Sequence, residues 1–385
     1  MNTRSWVEVD KQALKHNVGV FRRVAKLSKV MAVVKGNAYG HGMLECAKIF
    51  EQELAPRSSK SEVGWLGVDD IDEALALRKA GLKLPILVLG YTLPSRFPEA
   101  VKHDISVTIS SIESLKHCLP KKIMRSNLKH LHIHLKLETG LNRQGITENE
   151  LPELLDILTF LRMSECCMEG VYSHFAAAEL ATEAKYKKYC ELQMDNFERM
   201  SGQVERAVGH KLIKHMADTA AAAWLSRSRY DLVRIGVGLY GLDPTSRVEQ
   251  KILHKLKLKP ALSWYSIIAQ VKKVSKGEPV GYNLTKRVTK DSQIAIVPVG
   301  YWHGYPWSLS NKGEVLVHGK KCKVMGRVCM GMMMIDVTNV PSVKQGDVAT
   351  LIGPKLSAEE VATKAGTINY ELVTRINSLL PRCFI

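Results

Sequence analysis

The apolar run "KVMAVV" ends abruptly in Lys35, and Tyr39 follows four residues later inside the glycine-flanked stretch "GNAYGHG". A lysine so placed is either a solvated cap on a strand end or a nucleophile at the mouth of a pocket. As a nucleophile it needs surroundings that lower its pKa. Other apolar runs carry a polar residue late or at their ends: Lys136 in "LHIHLKL", His174 in "MEGVYSHF", His215 in "KLIKHMA" and Arg234 in "DLVRIGVGLYG". Taken singly, each has a plain alternative, because a strand-end Lys or Arg is often only solvent-exposed and a lone His is often a hydrogen-bonded packing residue.

The elements that must position these residues follow from periodicity. Eight apolar runs of strand length occur before residue 242: "KVMAVV", "GWLGV" (64–68), "LPILVLG" (84–90), "ISVTIS" (105–110), "LHIHLKL" (131–137), "MEGVYSHF" (168–175), "KLIKHMA" (211–217) and "DLVRIGVGLYG" (231–241). Amphipathic segments lie between them, among them "DIDEALALRKAG", which opens on an acidic cap and closes on glycine. Eight strands alternating with helices predict a (β/α)8 TIM-type barrel over residues 1–241, with the alternative that the first strand joins the C-terminal domain, and with the site at the strand C-terminal ends. Lys35, Lys136, His174, His215 and Arg234 would then converge on one barrel face, where unpaired charge is costly.

From 242 to 385 the rhythm becomes a succession of short strands, so a mostly β C-terminal domain is expected there. Its expected strands include "ALSWYSIIAQVKKV" and "EPVGYNL", and its one expected helix is "SAEEVATKAG", capped by serine.

The 385 residues are 45% apolar and 24% charged, a globular composition, and no stretch is long and apolar enough to span a bilayer. The N-terminus lacks an apolar signal core, which predicts a cytoplasmic protein. Eight cysteines (Cys46, Cys118, Cys166, Cys167, Cys190, Cys322, Cys329 and Cys383) show neither CxxC nor zinc-type spacing, so reduced thiols and no metal site are expected. The net charge of +17 is spread along the chain without a nucleic-acid motif, so a solvated basic surface is the expectation, and no nucleic-acid or membrane partner.

"VMAVVKGNAYGHG" resembles the pyridoxal phosphate (PLP) attachment motif of alanine racemases. The resemblance continues in order through "LHIHLKLETGLNRQG", "VRIGVGLYG", "EPVGYNL", "VGYWHGYP", "MGRVCM" and "GTINYELVTRI". It implies that Lys35 holds PLP covalently, that Tyr39, Thr219, Tyr370 and the backbone amides of Gly236 and Val237 bind its phosphate, and that Arg234 faces the pyridine nitrogen. An arginine there donates a hydrogen bond but hardly yields a proton. The resemblance further implies two opposed bases, Lys35 for the D-enantiomer and Tyr282 for the L-enantiomer, with His174 beside Arg234 polarising the phenol. Tyr282 comes from the partner subunit in this family, so a homodimer with shared active sites is implied. Arg143 and the backbone near Met330 would bind the substrate carboxylate, Lys136 matches a lysine carried as a carbamate, and Tyr301 with Tyr370 matches a narrow inner gate.

The implied activity is interconversion of L- and D-alanine, supplying D-alanine for peptidoglycan. Two alternatives stay open: a serine or broad-specificity racemase on the same scaffold, and a PLP-binding protein with little racemase activity. The chain departs from the family pattern at several positions. Asp218-Thr219 stands for Asn-Ser, Gly331 for an aspartate, Trp302-His303 for Ala-Asp, and Trp307 for an outer-channel arginine. Glu179 occupies the acidic position that such an arginine would pair with.

Overall fold

The structure is a computed structural model and describes residues 3–55, 64–118, 130–161, 167–245 and 251–385. The chain forms two compact units, residues 18–36 with 44–239, and residues 1–17 with 37–43 and 240–385. The first strand, β1 (Ser5–Val9), belongs to the second of these.

The first unit is a closed barrel of eight parallel strands: β2 (Lys29–Val33), β3 (Trp65–Val68), β4 (Ile86–Tyr91), β5 (Ser106–Ile109), β6 (His132–Lys136), β7 (Cys167–Tyr172), β8 (Ile213–His215) and β9 (Leu232–Ile235). Strands covered on both faces read as continuous apolar runs, as in "WLGV", whose four residues are all buried. The helix Ile71–Lys79 follows β3 because Asp70 accepts the Glu73 amide at 2.9 Å, acids fill its first turn and bases its last. The 25-residue helix Ala184–Val208 stops at Gly209, whose φ of 80° suits glycine. Register fixes the level of the candidate residues: Tyr172 is paired with Lys136 on one side and His215 on the other, and Arg234 is paired with Met31.

The second unit holds a nine-stranded sheet built from β1, β10 (Leu262–Ile267), β11 (Gln270–Val274), β12 (Ser292–Val297), β13 (Glu314–Val317), β14 (Lys320–Met325), β15 (Met333–Asp336), β16 (Val348–Ile352) and β17 (Arg382–Phe384). Its order is β11-β12-β15-β14-β13-β16-β10-β1-β17. β1 pairs antiparallel with β10 and parallel with β17.

Three local expectations are corrected. "ALSWYSIIAQVKKV" is two strands, β10 and β11, which pair with different neighbours. "EPVGYNL" is not a strand, because Gly281, Asn283 and Leu284 all have positive φ and Tyr282–Leu284 forms a short helical turn. The C-terminal part contains more than one helix: Lys251–Leu256 and Asn369–Thr374 join the expected Ala358–Ala365, which Ser357 caps.

Among the described residues Cys46, Cys167, Cys190, Cys322 and Cys329 are free thiols; Cys166 lies outside them. No helix among the described residues is long and apolar enough to cross a membrane.

Candidate active site

Lys35 follows β2 by two residues and its Nζ donates to Asp69 Oδ1 at 2.8 Å. The Glu73 carboxylate accepts both the Gly36 and the Asp69 amides at 2.8 Å, tying the end of β2 to the end of β3. The helical turn Lys35–Tyr39 is left-handed: φ is 60° at Gly36, 54° at Asn37, 55° at Ala38 and 52° at Tyr39. Only glycine, and to a lesser degree asparagine, adopts such values readily. The turn is held by the Asn37 carbonyl, which accepts Gly42 N at 2.9 Å, and by Asn37 Oδ1, which accepts Met43 N at 2.9 Å. Buried His41 adds its Nδ1, which lies 3.1 Å from Ala38 O and 2.9 Å from Tyr39 O. Since carbonyls only accept, the proton is on Nδ1. Burial lowers His41 to about 4, against the opposing pull of those two hydrogen bonds.

At the opposite end of the strand sequence, Arg234 is buried in the barrel. Its Nη1 donates to His215 Nδ1 at 2.9 Å, and its Nη2 reaches Ser173 O at 2.8 Å, Met216 O at 3.0 Å and His174 Nδ1 at 3.2 Å. Its Nε–H has no hydrogen-bond partner among the described residues. Burial first, and then neighbouring cations, push His174 well below its ordinary range, so it is neutral. Arginine always donates, so His174 Nδ1 accepts and its Nε2 carries the proton. Tyr172 stacks on His215 at 4.6 Å and lies under the guanidinium of Arg234 at 5.0 Å and Lys136 Nζ at 5.5 Å. His174 itself lies two residues beyond the end of β7.

Lys136, the last residue of β6, donates to Gln144 Oε1 at 3.0 Å. Burial, then the cations Arg143, Arg234 and Lys35, lower it to about 8. Arg143 is exposed on the following loop, which Glu138 organises by accepting the Gly140, Leu141 and Arg143 amides. Thr219 Oγ1 accepts the Gly236 amide at 3.3 Å and the Gly238 amide at 3.4 Å, both long bonds. Asp218 turns its carboxylate to the Ala221 amide at 2.9 Å and caps the helix Thr219–Trp224. Burial raises its pKa despite that bond. Burial likewise raises Glu179.

In the second unit, Tyr39 and Tyr370 meet edge-on at 6.1 Å. Tyr301 and Trp302 donate their amides to Cys329 O at 3.1 Å and Met330 O at 3.0 Å. A side chain at Gly300 would lie 2.0 Å from Cys329 O, so only glycine allows this approach. His303 Nδ1 accepts the Gly300 amide at 3.2 Å, closing the turn Tyr301–His303, and Trp307 lies under Arg327 at 4.6 Å. Tyr282 is 69% exposed on its own subunit.

The barrel therefore brings together Lys35, Lys136, His174, His215 and Arg234, while Thr219 and Gly236 form a separate donor-rich corner. Sequence reasoning missed Asp69, Glu73, Gln144 and Tyr172. Only the acidic run "VDDIDEA" after β3 could have signalled the first two.

An eight-stranded parallel barrel with a lysine just beyond its first strand and a buried arginine in its last, joined to a mostly β unit, defines a class of two-part barrel proteins. The family descriptions "Alanine racemase, N-terminal domain" and "Alanine racemase, C-terminal domain" match residues 9–244 and 261–384. The chain is 37% identical to an alanine racemase of Desulforamulus reducens over 382 residues, covering 99% of this chain and 98% of the relative. It is also 37% identical to one from Methanococcus maripaludis, covering 99% and 98%. The alanine racemase structure from Streptomyces lavendulae superimposes with a TM-score of 0.90 at 32% identity, covering 100% of this chain and 98% of that one. The Bacillus anthracis alanine racemase with bound L-Ala-P gives a TM-score of 0.88 at 35% identity, covering 100% and 96%. This chain belongs to the alanine racemase family.

Proposed function

We propose that this protein is an alanine racemase that uses PLP held by Lys35. The observation that carries the reading is a buried Arg234, on the strand paired with the one that leads into Lys35, whose Nη atoms are committed to His215, His174 and two carbonyls. That leaves its Nε–H for a ring nitrogen. The donor set suits the cofactor: the Gly236 and Gly238 amides, spent only on long bonds to Thr219, can turn to a phosphate, as can the Thr219 hydroxyl. Bound PLP supplies an electron sink that acidifies the Cα–H bond of an amino acid joined to it.

The chain's residues then divide the work. Arg234 stays protonated and donates without yielding its proton, which restrains that sink and favours reprotonation over side reactions. The Lys35 amine takes or returns the Cα proton on the face serving the D-enantiomer, and the partner subunit's Tyr282 does so on the face serving the L-enantiomer. Neutral His174, with its proton on Nε2, is set to donate to that phenol oxygen and stabilise its anion. Arg143 and the backbone near Met330 bind the substrate carboxylate, and Tyr301 with Tyr370 narrows the approach. Exposure of Tyr282 on its own subunit supports its use by a second copy. Supply of D-alanine to peptidoglycan is the physiological role we infer.

The test is to follow D-alanine formation from L-alanine in deuterated water. Deuterium should enter at Cα, and Lys35→Ala should abolish turnover. Equal or faster turnover of L-serine would shift the assignment to a serine or broad-specificity racemase. Cofactor absorbance without racemisation would leave only a PLP-binding protein.

A further inference from the structure

Below Arg234, the barrel interior contains a continuous polar line. His215 Nε2 lies 2.8 Å from His134 Nδ1, and His134 Nε2 lies 3.2 Å from Glu169 Oε2. Ser106 Oγ donates to the same carboxylate oxygen at 2.6 Å. Both imidazoles are fully buried, and Arg234 is only 5% exposed. The residues come from β9, β8, β6 and β7, so the line crosses the barrel from its mouth toward the start of β7. Trp65 packs edge-on against His134 at 5.2 Å. Gly170 makes room for it: a Cβ there would lie 2.3 Å from His134 Nδ1.

Every proton in this line is determined by its ends. Arg234 can only donate, so His215 Nδ1 must accept and its proton must sit on Nε2. That proton points at His134 Nδ1, which must also accept, leaving the His134 proton on Nε2 toward Glu169. A protonated His134 would set two N–H donors face to face, either against His215 or, after a tautomer change, at Arg234. Both imidazoles are therefore neutral. Burial, followed by the charge of Arg234, also holds His215 well below its ordinary range. Burial pushes the Glu169 carboxyl up, but its bonds to His134 and Ser106 and the nearby His132 outweigh this and keep it below the ordinary value.

We propose that Glu169 is a positioning residue that sets Arg234 through the one-way line Arg234→His215→His134→Glu169. Its carboxylate selects the Nε2–H tautomer of His134, which selects that of His215, which presents a lone pair to the guanidinium. The idea rests on the proposed role of Arg234 toward the cofactor, but the line itself is a property of the protein alone. Without an acceptor at position 169, the His134 Nε2–H is left buried and unpaired, so the preference for the tautomer that accepts from His215 narrows and the hold on Arg234 loosens.

The tautomers can be read directly by long-range 15N–1H correlation on the full chain labelled in histidine, assigned with His134→Asn and His215→Asn. In the unmodified protein both histidines should carry their proton on Nε2, and a proton on Nδ1 of either would overturn the proposal. Glu169→Gln keeps an acceptor oxygen and should preserve both tautomers and kcat to within a few-fold. Glu169→Leu should populate the Nδ1–H tautomer of His134 alongside the Nε2–H one and lower kcat about tenfold, the scale of one buried hydrogen bond lost. Unchanged tautomers in Glu169→Leu, or equal kcat in the two variants, would overturn it. The tautomer measurement needs no turnover, so failure of the racemase reading would be seen separately in the alanine assay.

Discussion

Lys136 Nζ lies 3.0 Å from the neutral oxygen of Gln144, while the charges that act most strongly on it after burial are the cations Arg143, Arg234 and Lys35. The amine, lowered to about 8, is partly neutral at mildly alkaline pH. A neutral amine can add to carbon dioxide, forming an N–C bond and releasing one proton to solvent. The product is an anion among cations, which those neighbours stabilise and which can fix the Arg143 guanidinium.

A 13C signal for a lysine carbamate should therefore appear when the protein is equilibrated with 13C-bicarbonate at pH 8, and vanish in Lys136→Ala. Turnover in carbon-dioxide-free buffer should fall several-fold and recover on adding bicarbonate. If neither the signal nor the bicarbonate dependence is seen, Lys136 acts as an amine.

His41 gives a pH dependence of stability. Its folded pKa of about 4 lies below the ordinary 6.5, so between those values the unfolded chain binds a proton that the folded chain refuses. Stability should fall as pH drops through that window, by on the order of 3 kcal/mol from this residue if the whole shift is expressed. Urea midpoints measured at pH 7 and pH 4.5 should differ less in His41→Gln than in the unmodified protein. An equal pH dependence in both would remove His41 as the cause.

Gly170→Ala places a methyl group 2.3 Å from His134 Nδ1 and 2.9 Å from Ile213 O, and one of these is backbone. Overpacking of this kind costs about 1–3 kcal/mol. We expect a lower thermal midpoint together with reduced kcat, because the displaced imidazole supports His215. A variant as stable as the parent would mean that β7 relaxes easily.

Gly331→Asp restores the residue expected from family relatives, at a position where an added Cβ meets nothing within 4 Å. Its thermal midpoint should match the parent to within about 0.5 kcal/mol, the usual range for an open surface site. Any change in kcat or KM for alanine then reports on the substrate region and not on folding. A large loss of stability would show that the segment is more tightly packed than this.

The barrel was legible because eight apolar runs alternate with helical segments, and because Lys35, Lys136, His215 and Arg234 interrupt those runs at their ends. Asp69 and Glu73 were not. Their partners, Lys35 and Gly36, lie more than thirty residues away, and an acidic pair before a helix reads equally well as a cap. Glu169 acts across neighbouring strands and leaves no local spacing, and Gln144 reaches back to Lys136 from the loop after β6, at a spacing of eight that signals nothing by itself. "EPVGYNL" imitates a strand in composition, but three positive φ values turn the chain instead. The acid at 218, which a phosphate would repel if it pointed there, is absorbed by a helix cap, which chain order alone does not reveal.

The left-handed turn from Gly36 to Tyr39 has one further consequence. A residue of the wrong hand costs about 1–2 kcal/mol unless it is glycine, and here Asn37, Ala38 and Tyr39 all adopt it in succession. A right-handed turn of the same length would carry the chain around the other way, so the reactive amine and the tyrosine four residues later could not both keep their directions. The Glu73, Asn37 and His41 contacts thus act as a chirality lock. They convert four residues of ordinary sequence into a segment that is competent in one hand only, and an incompletely folded chain that chose the common hand would contain every required side chain and still present them out of phase.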